Sequence, residues 1–145
     1  MARRQFNVKR NFKFVDLIKM DNPQTVMREA GERLAVQLEN RTLSGRDENN
    51  RAFKRYSPEY QRRAKFGRST VDLHGAPTSA MWSDFGVVRA HRTGFALGFR
   101  SDKSALKAIW HEGGTTRGLP VRKFLGVPES WITSLKRWVV SKLPR

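Results

Sequence analysis

A mixed fold of helices and antiparallel strands is predicted by three patterned stretches of this 145-residue chain. Apolar residues recur at spacings of three and four over residues 23–39. They alternate through residues 85–99, then return to helical spacing after Pro128. The length suits one ordinary domain, read here as residues 21–145 behind an arm of residues 1–20.

The arm places Phe6, Val8, Phe12 and Phe14 at even positions among Arg3, Arg4, Lys9 and Arg10. Period-two alternation puts those apolar side chains on one face of an extended, basic segment. Such an arm can pair with its own sheet or with a neighbour's edge; a solvated tail is the alternative. Asn22-Pro23 is a helix start, with Asn as N-cap and Pro in the first turn. Val26, Met27, Ala30, Leu34 and Leu38 make the stripe that follows, and Asn40 and its successors are expected to end it. Gly31, at the edge of that stripe, would admit another backbone closely.

Residues 41–70 are expected to form a long basic loop. Leu43-Ser44-Gly45-Arg46-Asp47-Glu48-Asn49-Asn50 carries turn chemistry and reads as a polar hairpin tip, and Ser57 can cap a short helix beginning at Pro58. Val71-Asp72-Leu73 reads as a short extended piece. Phe85 to His91 and Phe95 to Phe99 form a hairpin about Arg92-Thr93-Gly94. Phe95, Leu97 and Phe99 share one face, whereas Gly94, Ala96 and Gly98 leave the other nearly bare, so a backbone or helix is expected against the bare side. A brief helix is expected over Ser104–Trp110, ended by His111-Glu112-Gly113-Gly114. A last helix begins at Pro128-Glu129, buries Trp131, Ile132, Leu135, Trp138 and Val139, and stops at Pro144.

Charge is the outstanding feature of the composition. Lys and Arg number 29 against 13 Asp and Glu, giving +16, and the mean hydropathy is −0.65. Such an excess attracts polyanions or acidic protein surfaces. Cysteine is absent, which excludes disulfides, thiolate metal sites and cysteine nucleophiles. The N-terminal run lacks the continuous apolar stretch of a secretory signal, and no run reaches the length of a membrane span. A soluble protein made in a cytosol, with no membrane partner, is expected.

Reaction chemistry finds little purchase. His74, His91 and His111 lie in separate segments, and His111-Glu112-Gly113-Gly114 does not repeat the imidazole one helical turn later as a zinc motif does. Asp47-Glu48-Asn49-Asn50 lacks the ligand alternation of a calcium loop. Gly113-Gly114-Thr115-Thr116-Arg117-Gly118 lacks the Lys-Ser/Thr ending of a phosphate loop, and Ser57, Ser69 and Ser79 lack a nucleophile elbow. No catalytic, cofactor or metal residue is therefore assigned, and no enzyme is expected. Phe53, Tyr56, Tyr60 and Phe66 interleave with Arg46, Arg51, Lys54, Arg55, Arg62 and Arg63, a combination compatible with stacking on single-stranded nucleic acid. The plainer reading has the aromatics packing the base of the loop while the cations, like Arg3, Arg4 and Arg10 with Phe6 and Val8 in the arm, contact protein.

Several strings in order carry a resemblance. Gly45-Arg46-Asp47-Glu48-Asn49-Asn50-Arg51-Ala52-Phe53-Lys54 followed by Tyr56-Ser57-Pro58-Glu59-Tyr60, then Leu73, Gly75 and Met81, resemble the corresponding region of tail-completion and neck proteins of tailed bacteriophages. His111-Glu112-Gly113-Gly114 and Leu119-Pro120-Val121-Arg122-Lys123-Phe124-Leu125-Gly126-Val127 are similar to the close of that pattern. Asn50 stands where that family usually has Gly. The resemblance, over about residues 22–142, implies an α+β fold with the first long helix and the C-terminal helix packed on an antiparallel sheet. It implies a homo-oligomeric ring, commonly a hexamer, at the head–tail neck of the virion, acting as tail completion protein, tail terminator or head–tail connector. The partners would be neighbouring connector and tail-tube proteins, with non-specific contact to DNA in the channel and no cofactor. Assembly would take place in the host bacterial cytoplasm. Phe53, Ser57, Pro58, Tyr60, Leu73, Gly75, Met81, His111, Gly114, Pro120, Arg122, Phe124 and Gly126 are the motif positions, and Arg122 and Phe124 are expected to fix the sheet edge near the final helix. A basic nucleic-acid-binding module is the alternative function.

Overall fold

A computed structural model describes residues 22–63, 79–115 and 119–143. The arm of residues 1–20, the 64–70 end of the expected loop, Val71-Asp72-Leu73, His74, Gly75 and Pro144 lie outside the described residues.

The first helix, α1, runs from Pro23 to Leu43. It begins where Asn22-Pro23 predicts, but the Asn22 side chain makes no capping bond; its carbonyl accepts from Val26 N at 3.2 Å instead. The helix continues past Asn40, contrary to the sequence expectation. Thr42 Oγ1 donates back to the carbonyls of Leu38 (3.0 Å) and Glu39 (2.8 Å), and Arg41 finds acceptors far along the chain. Its end is marked by Gly45 at φ +73. Gly45 N donates to Thr42 O and Arg46 N to Arg41 O, the paired closure that a left-handed residue past the C-cap permits.

Beyond it the chain forms the expected polar tip. Arg46 bridges Ala52, and Asp47 Oδ1 accepts from the backbone N of Asn49 (2.9 Å) and of Arg51 (2.8 Å). Asn50 takes φ +62, the conformation for which Gly is the usual residue and which Asn tolerates. The expected short helix follows as α2, Pro58–Arg63. The sequence reading did not foresee α3, Ser79–Ser83, a single turn too short to show periodicity.

The hairpin is as predicted: β1 (Phe85–His91) pairs antiparallel with β2 (Gly94–Phe99) in a two-stranded sheet. Val87 opposes Leu97 but Arg89 opposes Ala96, so Val88 is an extra residue in β1. That bulge moves the inward register from Phe85 and Val87 to Ala90.

Contrary to expectation, the helix lies on the aromatic face of the hairpin rather than the bare one. A Cβ at Gly31 would meet Val87 Cγ2 at 2.7 Å and Phe95 Cδ2 at 2.9 Å, whereas the Cβ position of Gly94 has nothing within 4 Å and that of Gly98 faces Val88. The reason is area: Phe95 and Leu97 offer apolar surface to bury, and the glycine side offers almost none. The close approach foreseen at Gly31 is real, but its partners are strand side chains.

The helix expected over Ser104–Trp110 is longer, with α4 running Asp102–Gly113. Ser101 caps it by accepting from Ser104 N, and His111 and Glu112 lie within its last turn instead of ending it. Gly114 at φ +71 is the stop. The last helix, α5, is Glu129–Ser141 with Pro128 at the N-cap. It buries Ile132, Leu135 and Val139, and its half-buried Trp131 and Trp138 pack beside them.

The α+β class is therefore observed, with helices packed on an antiparallel sheet. One apolar cluster joins Met27, Ala30, Leu34 and Leu38 of α1 to Leu97, Leu135 and Val139. A second joins Phe53, Met81, Trp82, Ala108 and Phe124, and Phe85 touches both.

Candidate functional site

The second cluster supports the irregular segment 119–127 between α4 and α5, which groups from three other parts of the chain hold in place. Its side chains alternate: Val121 and Lys123 are exposed, while Arg122 is 1% and Phe124 0% exposed. Alternation in an extended strand sends neighbours to opposite sides, so this segment lays one cation and one aromatic ring into the protein.

Arg122 is satisfied by backbone from another part of the chain. Its Nε and Nη2 donate to Lys54 O at 3.1 and 3.0 Å, and its guanidinium lies 4.2 Å over the Tyr56 ring. Its Nη1 is 3.5 Å from His111 Nδ1, and its backbone N donates to His111 O at 2.7 Å. Burial, then the charges of Arg122 and Lys107, push the His111 imidazole down to about 4. The ring is neutral at pH 7, and a neutral nitrogen facing a guanidinium can accept where an imidazolium would repel.

Glu112, the next residue, bonds to the backbone of the segment. Its Oε1 accepts from the backbone N of Phe124 and of Leu125, both at 2.7 Å. Burial raises its pKa above the ordinary glutamate value, against the lowering effect of those two bonds. Arg41, near the end of α1, completes the clamp: its Nη2 donates to Phe124 O (2.5 Å) and Gly126 O (2.8 Å), and its guanidinium lies 5.0 Å from the Trp131 ring centre. Burial lowers the Arg41 pKa, with Asp47, Glu48 and Glu112 opposing. Glu48 N donates to Lys123 O, and its side chain crosses Gly126 so closely that a Cβ there would sit 2.6 Å from Glu48 Cβ. Only a glycine fits under that carboxylate arm.

Phe124 enters the aromatic cluster edge-on to Trp82, 5.5 Å between centres, and Trp82 meets Phe85 at 5.2 Å. Phe124 thus reaches the base of the hairpin through Trp82, and Arg122 ties the 53–56 segment to the end of α4. The expected role at a sheet edge beside the final helix is corrected accordingly: buried ion-capped backbone, and not strand pairing, holds this segment.

The motif positions within the described residues mostly converge here. Phe53, Met81 and Phe124 are buried in the second cluster, His111 and Arg122 are buried beside the clamped segment, and Gly114 and Gly126 make close backbone passages against Leu119 and Val121 and against Glu48. Pro120 is half-buried. Ser57 and Pro58 are exposed at the start of α2, which also carries Tyr60; Leu73 and Gly75 lie outside the described residues.

The expected interaction residues behave differently. Arg46, Arg51, Lys54, Arg55 and Arg62 are exposed, Arg46 donating to Asn50 O and Arg62 to Pro58 O, and Arg63 closes α2. Arg3, Arg4, Phe6, Val8 and Arg10 lie outside the described residues. Phe53 is buried and Tyr56 lies beneath Arg122, so these two aromatics pack the base of the loop and are not open for base stacking.

The sequence reading missed Arg41, Glu48, Glu112 and Trp82. Arg41 did carry a signal, as a cation on the apolar stripe three residues after Leu38 and seven after Leu34. Beside this cation, Gln37, Asn40, Ser44, Glu48, Asn49, Asn50, Ser130 and Trp131 are among the residues lining an open cleft of about 720 Å³. Its walls are mainly amides and hydroxyls. Among the described residues no group of three His, Asp or Glu side chains is placed to hold a metal ion, and no helix is long and apolar enough to cross a membrane. Comparison with protein-family models, curated proteins and solved structures returned no match.

Proposed function

We propose that this chain is a structural protein of a tailed-bacteriophage virion, assembling with copies of itself into a ring at the head–tail neck as a tail-completion or connector component. One observation carries the reading. The pieces of the resemblance, far apart in sequence, supply interlocking parts of a single hub: Phe53 and Met81 from its floor, His111 and Gly114 from the end of α4, and Arg122, Phe124 and Gly126 from the clamped segment. A shared pattern whose members serve one local architecture is better support than the same residues scattered over a surface.

The cations add to this reading. Arg41 and Arg122 are buried in the hub, whereas Arg46, Arg51, Lys54, Arg55 and Arg62 are exposed and would face acidic neighbours or the DNA that passes through such a ring. In this reading the protein works by contact, without turnover or cofactor.

The test is localisation combined with a binding titration. Gold-labelled antibody against the chain should decorate the junction between head and tail of particles from cells that express it. DNA affinity of the purified chain should be weak, independent of sequence and steeply reduced by salt. Particles without label, together with tight binding of DNA or RNA by a monomer, would replace the proposal with a nucleic-acid-binding module.

A further inference from the structure

The hairpin is open along β1. Among the described residues β1 pairs with β2 alone, and no main-chain bond reaches its outer side. Helix α1 covers one face of this ribbon, but the cover thins toward β1. Leu97 of β2 is 5% exposed, whereas Val87, its partner across the ladder, is half-buried.

The chain enters the fold at this same edge. Antiparallel pairs alternate between bonded and non-bonded. His91 and Gly94 close a two-residue turn as a bonded pair, so Ala90, one step back, turns its N–H and C=O away from β2. That carbonyl accepts from Gln24 Nε2 at 3.1 Å. Gln24 lies in the first turn of α1, so the start of α1 stands at the outer side of β1.

The sequence ahead of α1 has the pattern such an edge accepts. Phe6, Val8, Phe12 and Phe14 fall in one phase of a period-two alternation, with Arg10 the one polar residue among them. Asn7, Lys9, Asn11 and Lys13 fall in the other phase. Beside β1, the first phase would lie on the α1 side, next to Val87. The second would lie on the bare side, where Val88 meets Gly98. Reach is sufficient. Residues 15–21 separate Phe14 from Asn22, and extended they span about 23 Å, the length of the seven-residue β1.

We propose that residues 6–14 add to the outer edge of β1 in their own chain, as the third strand of the sheet. Main-chain bonds supply the attraction, and the alternate apolar side chains select the face. The same chain is favoured over a second copy by proximity: a short tether holds the segment at an effective concentration of about a millimolar. The pairing needs no charge complementarity, and it holds whether or not the chain forms a ring.

Disulfide trapping in the full chain tests this, since no native cysteine interferes. Val88→Cys, at an exposed position on the bare side, is combined in turn with Asn7→Cys, Lys9→Cys, Asn11→Cys and Lys13→Cys. After mild oxidation at low protein concentration, non-reducing electrophoresis separates links within a chain from links between chains. At least one pair should close within the chain about tenfold faster than the same arm cysteine paired with Lys136→Cys on the exposed side of α5. Adding Phe12→Asp, outside every described element, should bring that fastest pair down to the control rate. Rates equal to the control throughout, or a fast link that survives Phe12→Asp, would overturn the third strand. Links formed only between chains would assign the strand to a second copy and overturn pairing within one chain.

Discussion

Replacing Phe124 by alanine removes a fully buried ring without touching the bonds that hold its backbone. Phe124 N would still donate to Glu112 and Phe124 O would still accept from Arg41, so the loss isolates side-chain packing. Truncating a buried Phe to Ala costs about 3–5 kcal/mol, depending on how far the site collapses. Collapse is restricted here. Trp82 packs edge-on against the ring at 5.5 Å, and it is itself engaged with Phe85 and Phe99. The aromatic contact accounts for roughly 0.5–1.5 kcal/mol of the total. We therefore expect about 4 kcal/mol, a large part of the 5–15 kcal/mol typical of a domain. Urea titration followed by tryptophan fluorescence measures it. Val121→Ala, in the same segment at 52% exposure, is the control and should change stability by less than about 0.5 kcal/mol. A Phe124→Ala loss below about 1 kcal/mol would refute the view that the segment is clamped through its buried side.

The remaining expectations concern α1 and the ionised groups of the clamp. Gly31→Ala gains about 1 kcal/mol of helix propensity but forces a methyl within 2.7 Å of Val87; overpacking costs about 1–3 kcal/mol, so denaturation should show a net loss of about 1 kcal/mol, and a gain would contradict the packing. Glu112→Ala strands the amides of Phe124 and Leu125 and should cost about 2–4 kcal/mol; Glu112→Gln, which keeps an acceptor oxygen, should cost less than half as much. Equal losses would assign the effect to charge. For His111 the folded state titrates near 4 and the unfolded state near 6.5, so below 6.5 the unfolded chain binds the extra proton. Stability should therefore fall by up to about 3 kcal/mol as the pH drops from 6.5 to 4, relative to His111→Gln. Glu112, with its pKa raised, acts in the opposite sense by regaining its burial cost as it protonates. It is common to both proteins, so the difference between them reports His111, and parallel pH profiles would refute the assignment.

Local periodicity made α5 and the hairpin legible in the sequence, because their burial follows from spacing alone. The tip at residues 46–52 was legible for a similar reason, since Asp47 and Asn50 act on their own neighbours. What escaped was tertiary. The last turn of α1 survives because Arg41 bonds to carbonyls 83 and 85 residues away, and no window of sequence contains that information. His111 and Glu112 read as a helix end, yet they are its last turn, stabilised by a segment still to come. The position of the helix on the hairpin was misjudged because bare glycines invite close approach, while the free energy lies with the aromatic side. Of the candidate site, the motif residues were identifiable but their convergence was not, and the carboxylates and guanidinium that clamp the segment carried weak signals at best.

Sedimentation velocity of the untagged chain, over a tenfold concentration range and a salt series, tests the central claim of self-assembly most directly. The account predicts one discrete species at a fixed multiple of 16.7 kDa, independent of concentration once closed and dispersed by high salt. A 16.7 kDa monomer at every concentration, or growth without a fixed size, would contradict it.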